Sequence, residues 1–188
     1  MAHSDLDIVS PWVQRFAGLA GPGEALDLAC GGGRHARHLA ALGHPVIALD
    51  RDREALARAA GEGVSTLHWD LEGPQAPSDW PFAAGRFALT VVVNYLYRPL
   101  LPRLIGSMMD DGVLIYETFV RGNEQFGKPS NPVFLLAPGE LLELATRLGL
   151  RVIAFEDGVQ STPRAAMVQR LCAVKPGFDR ANARLDGF

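Results

Sequence analysis

Residues 26–38 read LDLACGGGRHARH: an apolar run with an acid, Asp27, in its middle breaks into Gly31, Gly32 and Gly33, followed at once by an arginine and by His35 and His38. Consecutive glycines at the end of an apolar run let a backbone come close to a ligand. Asp50 ends the next apolar run, PVIALD, and Asp70 ends the one after it, in HWDLE. Carboxylates accept hydrogen bonds from hydroxyl and amino groups and complement cations. Three of them at the ends of successive strand-like runs, beside a glycine turn, suit a ligand with a ribose, an adenine and a cationic tail. Each acid alone has a plainer reading as a helix cap or a solvated loop charge; Asp50 could cap a helix beginning near Asp52.

Three nucleotide-type readings compete for the glycines. A phosphate loop needs GxxxxGK followed by Ser or Thr, and no lysine follows here. A dinucleotide fold needs GxGxxG or GxGxxA; Gly31-x-Gly33-x-x-Ala36 matches it, and Asp50 lies near the expected ribose position. An NAD-dependent oxidoreductase therefore stays open at this point. Asp27, four residues before Gly31, weighs against it, because a carboxylate there would lie close to a pyrophosphate. A positively charged ligand would tolerate it.

The elements that must position these groups alternate. Strand-length apolar runs at 25–30, 45–50, 64–70, 87–93 and 112–119 are interleaved with helix-period segments at 34–43, 52–63, 100–109 and 138–149. In the third of these helices Leu100/Leu101, Leu104/Ile105 and Met108/Met109 recur every four residues. The strands are continuously apolar, as expected when helices cover both sheet faces. The last two runs, 151–157 and 167–174, have no helix between them and must form a hairpin. The pattern predicts an α/β fold: a doubly wound Rossmann-like sheet, mostly parallel, with one antiparallel strand from the C-terminal hairpin. The 188 residues fit one domain spanning 1–188. Two stretches, 71–86 and 120–134, read as long irregular loops, the second directly after a strand's carboxyl end.

With LDLACGGGRHARHLA, VIALDRD, HWDL, VVVNYLYRPLLPRL and the closing hairpin in place, the chain resembles the class I S-adenosylmethionine-dependent methyltransferases over nearly its whole length. Within them it is most similar to the small tellurite-resistance-like methyltransferases. The resemblance implies that Asp27 and the Ala29–Gly33 loop, including Cys30 and Gly31, face the methionine part of S-adenosylmethionine. It also implies that Asp50 binds both ribose hydroxyls, that Arg51, Asp70 and Leu71 border the adenine, and that Asn94 lies near the sulfonium. Ala29 stands where the family usually has its first glycine. His35, at the start of a helix whose N-terminus favours an anion, is expected beside the cofactor's carboxylate.

Methyl transfer is an in-line displacement on an activated carbon, so the enzyme has mainly to align the acceptor and exclude water. No catalytic group is assigned. NYLYR (94–98) follows the fourth strand; Tyr95, Tyr97 and Arg98 are candidates for the acceptor pocket, and the spacing of Asn94 and Tyr97 loosely resembles a motif of amino methyltransferases without its prolines. Arg121 and Lys128, in the loop after Glu117, could attract an anionic substrate, with Phe119, Phe126 and Phe134 giving that loop an apolar underside. No metal is expected: His35 and His38 stand i, i+3, while His3, His44 and His68 are scattered. Cys30, flanked by small residues, is expected to pack rather than react.

The totals narrow the partners. A net charge of −3 and the lack of a basic stripe argue against nucleic acid. Two cysteines make no disulfide framework, the first residues carry acids where a signal peptide would be basic, and no apolar run approaches membrane-spanning length. The expectation is a cytoplasmic methyltransferase acting on a small molecule, with neither membrane nor nucleic acid as partner. A helix around Trp12, Val13 and Phe16 would help to cover its pocket. A non-catalytic module that binds S-adenosylmethionine is the other alternative.

Overall fold

The computed structural model describes residues 8–73 and 80–183. Helix α1 (Pro11–Phe16) precedes β1 (Glu24–Leu28), α2 (Arg34–Ala41), β2 (Val46–Asp50), α3 (Arg53–Ala59) and β3 (Val64–His68). Then come β4 (Phe87–Val93), α4 (Leu101–Gly106), β5 (Met108–Phe119), α5 (Glu140–Arg147), β6 (Arg151–Gln160) and β7 (Ala166–Val174). The seven strands form one sheet in the order β3-β2-β1-β4-β5-β7-β6. The first five run parallel, and β7 is antiparallel to both of its neighbours. The sheet is thus Rossmann-like, with the expected antiparallel strand.

Alternation along β1 sets the two faces. Leu26 and Leu28 join a core with Leu104 of α4 and Leu141 and Leu144 of α5. Ala25 faces the opposite core, built with Trp12, Val13 and Phe16 of α1, Ala36 and Leu39 of α2, and Leu56 and Ala59 of α3. Asp27, two residues from Ala25, shares that second face and is 1 % exposed. All of β4 is buried, as a central parallel strand should be.

One element differs from expectation. The apolar pair Met108/Met109 does not continue the preceding helix, which stops at Gly106; it opens β5, where Met108 pairs with Phe87 and is fully buried. The register then shifts between Phe87 and Leu89, and Gly112 sits where a Cβ would lie 3.0 Å from the carbonyl oxygens of Phe87 and Met109. An irregular start to a buried strand carries apolar side chains at helix-like spacing. The hairpin strands also run further than expected, to Gln160 and from Ala166.

Strand order reverses between β1 and β4. A crevice opens there beyond the carboxyl ends of the strands, the usual ligand position in such sheets. The residues just past β1 and β4, Ala29 (φ 54°) and Asn94 (φ 60°), are both left-handed without being glycine. Such backbone is uncommon and clusters at ligand sites.

Candidate functional site

The loop after β1 is held by the chain's own carboxylates. Asp50, at the end of β2, accepts the Gly31 N–H through Oδ2 at 2.8 Å and the Asp52 N–H through Oδ1 at 2.9 Å. Each oxygen keeps a lone pair for a further donor, and Asp50 lines the crevice. Helix α3 is capped not by Asp50 but by Asp52, whose Oδ1 accepts the N–H groups of Glu54 and Ala55. Asp27 accepts the Ala36 N–H through Oδ2 at 2.9 Å and thereby ties the first turn of α2 to β1. Burial raises its pKa to about 7, against the pull of that hydrogen bond and of Arg34.

The glycines serve different ends. A Cβ on Gly33 (φ 75°) would fall 2.5 Å from the Cβ of Ala59, so this position lets α3 pack against the loop. A Cβ on Gly31 (φ 54°) would meet nothing within 4 Å, so only its left-handed backbone constrains it. Cys30 is buried, and burial followed by the Asp27 and Asp50 carboxylates pushes its thiol well above the ordinary range. It therefore stays a neutral packing group.

The crevice is a cavity of ≈ 400 Å³. Ala29, Asp50, Arg51, Asp70, Leu71 and Asn94 of the expected cofactor set line it together, as does Tyr95 of the expected acceptor set. Asp27, Cys30, Gly31 and Gly33 lie beneath or within the loop rather than on the cavity wall. Sequence reasoning missed Trp69, Glu72, Leu96, Thr118 and Pro129, which also face it. The signal for Trp69 was present, since it immediately precedes Asp70 at the end of β3. Pro129 and Phe134 come from the loop after β5, so that segment forms part of the wall.

His35 is not placed as expected. It is 3 % exposed, its Nε2 accepts the Ser10 N–H at 3.3 Å, and Arg34 Nε approaches the same nitrogen at 3.3 Å. Burial first, then Arg34, lowers its pKa to about 3, which leaves a neutral ring supporting the start of α1. Two donors already occupy Nε2.

Arg98 is also committed elsewhere. Its Nε and Nη2 donate to Glu140 Oε1 and Oε2 at 2.6 and 2.8 Å, while Nη1 and Nη2 donate to the carbonyls of Val133 and Leu135. It straps the loop after β5 to the start of α5 and lines neither this crevice nor the hollow beside it. Tyr97 is half-buried against the α4/α5 core. Arg121 is exposed, with its backbone N–H bonded to Leu136, and like Lys128 it stands away from both cavities. The 120–134 segment is pinned by Asn123, which is buried, donates to the Pro129 carbonyl at 2.9 Å and accepts the Met167 N–H at 3.1 Å.

Among the described residues there is no group of three His, Cys, Asp or Glu side chains arranged to hold a metal ion. His44 Nδ1 is bonded to the Gly23 carbonyl and His68 Nε2 to that of Arg51. His3 lies outside the described residues, as do residues 74–79 of the first irregular stretch. No described helix is long and apolar enough to cross a membrane.

Comparison with known proteins bears on the resemblance and the fold. Residues 25–110 match the family model of a methyltransferase domain. No curated protein matches the sequence. Among solved structures, an S-adenosylmethionine-dependent methyltransferase from Methanosarcina mazei aligns with TM-score 0.68 at 15% identity, over 89% of this chain and 98% of that one. TehB from Haemophilus influenzae aligns with TM-score 0.67 at 18% identity, over 89% of this chain and 62% of that one. Geranyl diphosphate C-methyltransferase from Streptomyces coelicolor A3(2), in complex with Mg2+, geranyl diphosphate and S-adenosyl-L-homocysteine, aligns with TM-score 0.65 at 13% identity, over 88% of this chain and 80% of that one. Residues 25–110 thus resemble a methyltransferase domain, and the chain has the fold of the S-adenosylmethionine-dependent methyltransferases.

Proposed function

We propose that this protein transfers a methyl group from S-adenosylmethionine to a small molecule. One observation carries the choice of cofactor: the backbone N–H groups that a pyrophosphate would need at the glycine turn are taken by carboxylates of the chain, Gly31 by Asp50 and Ala36 by Asp27. A dinucleotide would bring its phosphates against two acids, whereas a nucleoside with a cationic tail brings none. The rival reading of Gly31-x-Gly33-x-x-Ala36 as a dinucleotide fingerprint loses its physical basis, because Gly33 is accounted for by its approach to Ala59.

The residues present suit the cofactor. When bound, it supplies a methyl group already activated on a sulfonium sulfur. Asp50, with a lone pair left on each oxygen, would accept both ribose hydroxyls. Arg51, Trp69, Asp70 and Leu71 would border the base, and Asn94 would stand at the far end of the crevice. A cavity of ≈ 400 Å³ is within the usual range for small-molecule sites, which suits a cofactor of this size. Grouping the chain with the tellurite-resistance-like methyltransferases rests on the sequence resemblance, and the 18% identical TehB shares the fold. Two free, buried cysteines fit a reducing cytoplasm, and a single sheet drawing strands from residues 24 to 174 fits one domain.

Calorimetry on the purified chain should show binding of S-adenosylhomocysteine and none of NAD; NAD binding alone overturns the proposal. Asp50→Ala should weaken S-adenosylhomocysteine binding by about 1.5–3 kcal/mol, the range for hydrogen bonds to a charged group. Unchanged affinity would mean that the ribose acid lies elsewhere. A panel of thiol, amine, hydroxyl and oxyanion acceptors, tellurite included, then tests for transfer. No transfer to any of them would favour a non-catalytic binding module.

A further inference from the structure

A second hollow of ≈ 570 Å³ lies on the other side of Asn94 and Phe119, and these two residues line both cavities. Its floor is Glu117, near the carboxyl end of β5. That carboxylate is 6 % exposed as a residue, and its Oε2 accepts from both Ser10 Oγ and Arg170 Nε at 2.8 Å. The Arg170 guanidinium is itself fixed, with Nη1 on Glu156 and Nη2 on Gln160. Glu117 Oε1 carries no hydrogen bond among the described residues.

A buried carboxylate with one oxygen saturated and the other open to a cavity is costly without a donor. Ile8, Val9, Phe119, Pro163 and Ala166 give the hollow an apolar part, and Ser10, Asn94, Gln160 and Thr162 add polar groups to its lining. Arg34 and Arg164 also line the hollow. Arg164 is exposed and makes one long bond, from Nη2 to the Lys128 carbonyl at 3.4 Å, so most of its charge faces the mouth.

We infer that this second hollow holds the methyl acceptor, a small molecule with an amine or hydroxyl head on Glu117 Oε1, an apolar body, and an anionic group toward Arg164. The inference rests on the methyltransferase reading above and adds the acceptor's chemical class and orientation. The shared wall at Asn94 and Phe119 is where the two ligands would meet. There the head's lone pair would form the new bond to the methyl carbon, the carbon–sulfur bond would break with its electron pair returning to sulfur, and the proton the head gives up would pass to solvent. Glu117 acts by holding the head in line, and the Ser10 and Arg170 bonds keep its carboxylate from turning.

The test uses the full chain saturated with S-adenosylhomocysteine and saturation-transfer NMR with three matched probes. Phenylalanine has head and tail, 3-phenylpropanoate lacks the head, and phenethylamine lacks the tail. Phenylalanine should bind at least tenfold more tightly than either of the others. Glu117→Gln should abolish the advantage over 3-phenylpropanoate while keeping that over phenethylamine and leaving S-adenosylhomocysteine affinity within twofold. Arg164→Glu, at an exposed position that does not bear on folding, should weaken phenylalanine at least fivefold and leave phenethylamine unweakened. Equal binding of the three probes, binding of none, or an Arg164→Glu protein indistinguishable from wild type would overturn the inference. Failure of wild-type protein to bind S-adenosylhomocysteine would instead remove the methyltransferase reading on which it rests.

Discussion

The Asp27 carboxylate and the Ala36 amide, nine positions apart, meet at 2.9 Å beneath the glycine loop and fix how α2 leaves β1. The acid is fully buried, and its pKa of about 7 lies well above the ordinary 3.8. The folded state therefore holds a proton that the unfolded chain has released by neutral pH.

The sign of the pH dependence follows. For an acid whose folded pKa is raised, stability is greatest below the unfolded pKa and is lost as pH rises from about 4 to about 7. Asp27→Asn keeps an oxygen for the Ala36 amide and has no proton to lose. Its melting temperature, compared with wild type at intervals from pH 4.5 to 8, should gain steadily up to about pH 7 and then run parallel. A constant difference across that range would show that Asp27 does not titrate there.

Gly33 and Gly31 should separate cleanly on substitution. Gly33→Ala drives a methyl group against Ala59 and should unfold or severely destabilise the protein, by about 3 kcal/mol or more when overpacking adds to a strained left-handed backbone. Gly31→Ala meets open space and should cost only the backbone term, about 1–2 kcal/mol. Urea unfolding of the two variants measures both. Similar losses would mean that α3 moves aside to admit the larger residue.

Arg98 holds Glu140 and two loop carbonyls at once. With its side chain 39% exposed, solvent screening limits its contribution, and Arg98→Met should cost about 1 kcal/mol of global stability. The local effect should be larger. Amide exchange of Phe134, Leu135 and Leu136, which bond to Asn131, Pro132 and Phe119, should accelerate several-fold while the central strands stay protected. Uniform acceleration would mean that Arg98 acts through the whole fold and not as a strap.

Most of the sheet was legible because its signals are local. Apolar runs of strand length, the helical spacing of Leu141 and Leu144, and the chemistry of LDLACGGG each lie within a dozen residues. The clustering of Asp50, Asp70 and Asn94 followed from strand ends sharing one edge of a parallel sheet. What stayed hidden depends on distant partners. Arg98 looked available because Glu140 lies 42 residues on, and His35 looked like a ligand contact because Ser10 lies 25 residues back. The Ser10–Glu117–Arg170 chain joins three segments that no local pattern relates. Met108 and Met109 misled for another reason, since apolar pairs four residues apart fit a helix and a bulged buried strand equally well.

The antiparallel strand β7 has a consequence for synthesis. It lies between β5 and β6, so β6 leaves the ribosome before the strand that joins it to the sheet exists. Until residue 166 and those after it emerge, β5 presents a long apolar edge with open backbone groups, and β6 has no place in the sheet. Such an edge invites pairing with other chains. The glycine loop and Asp50 can be assembled by then, but Glu117 still lacks Arg170. The nascent protein can therefore reach a stage with an assembled glycine loop beside an unfinished hollow, and the open edge of β5 is covered only when β7 joins it.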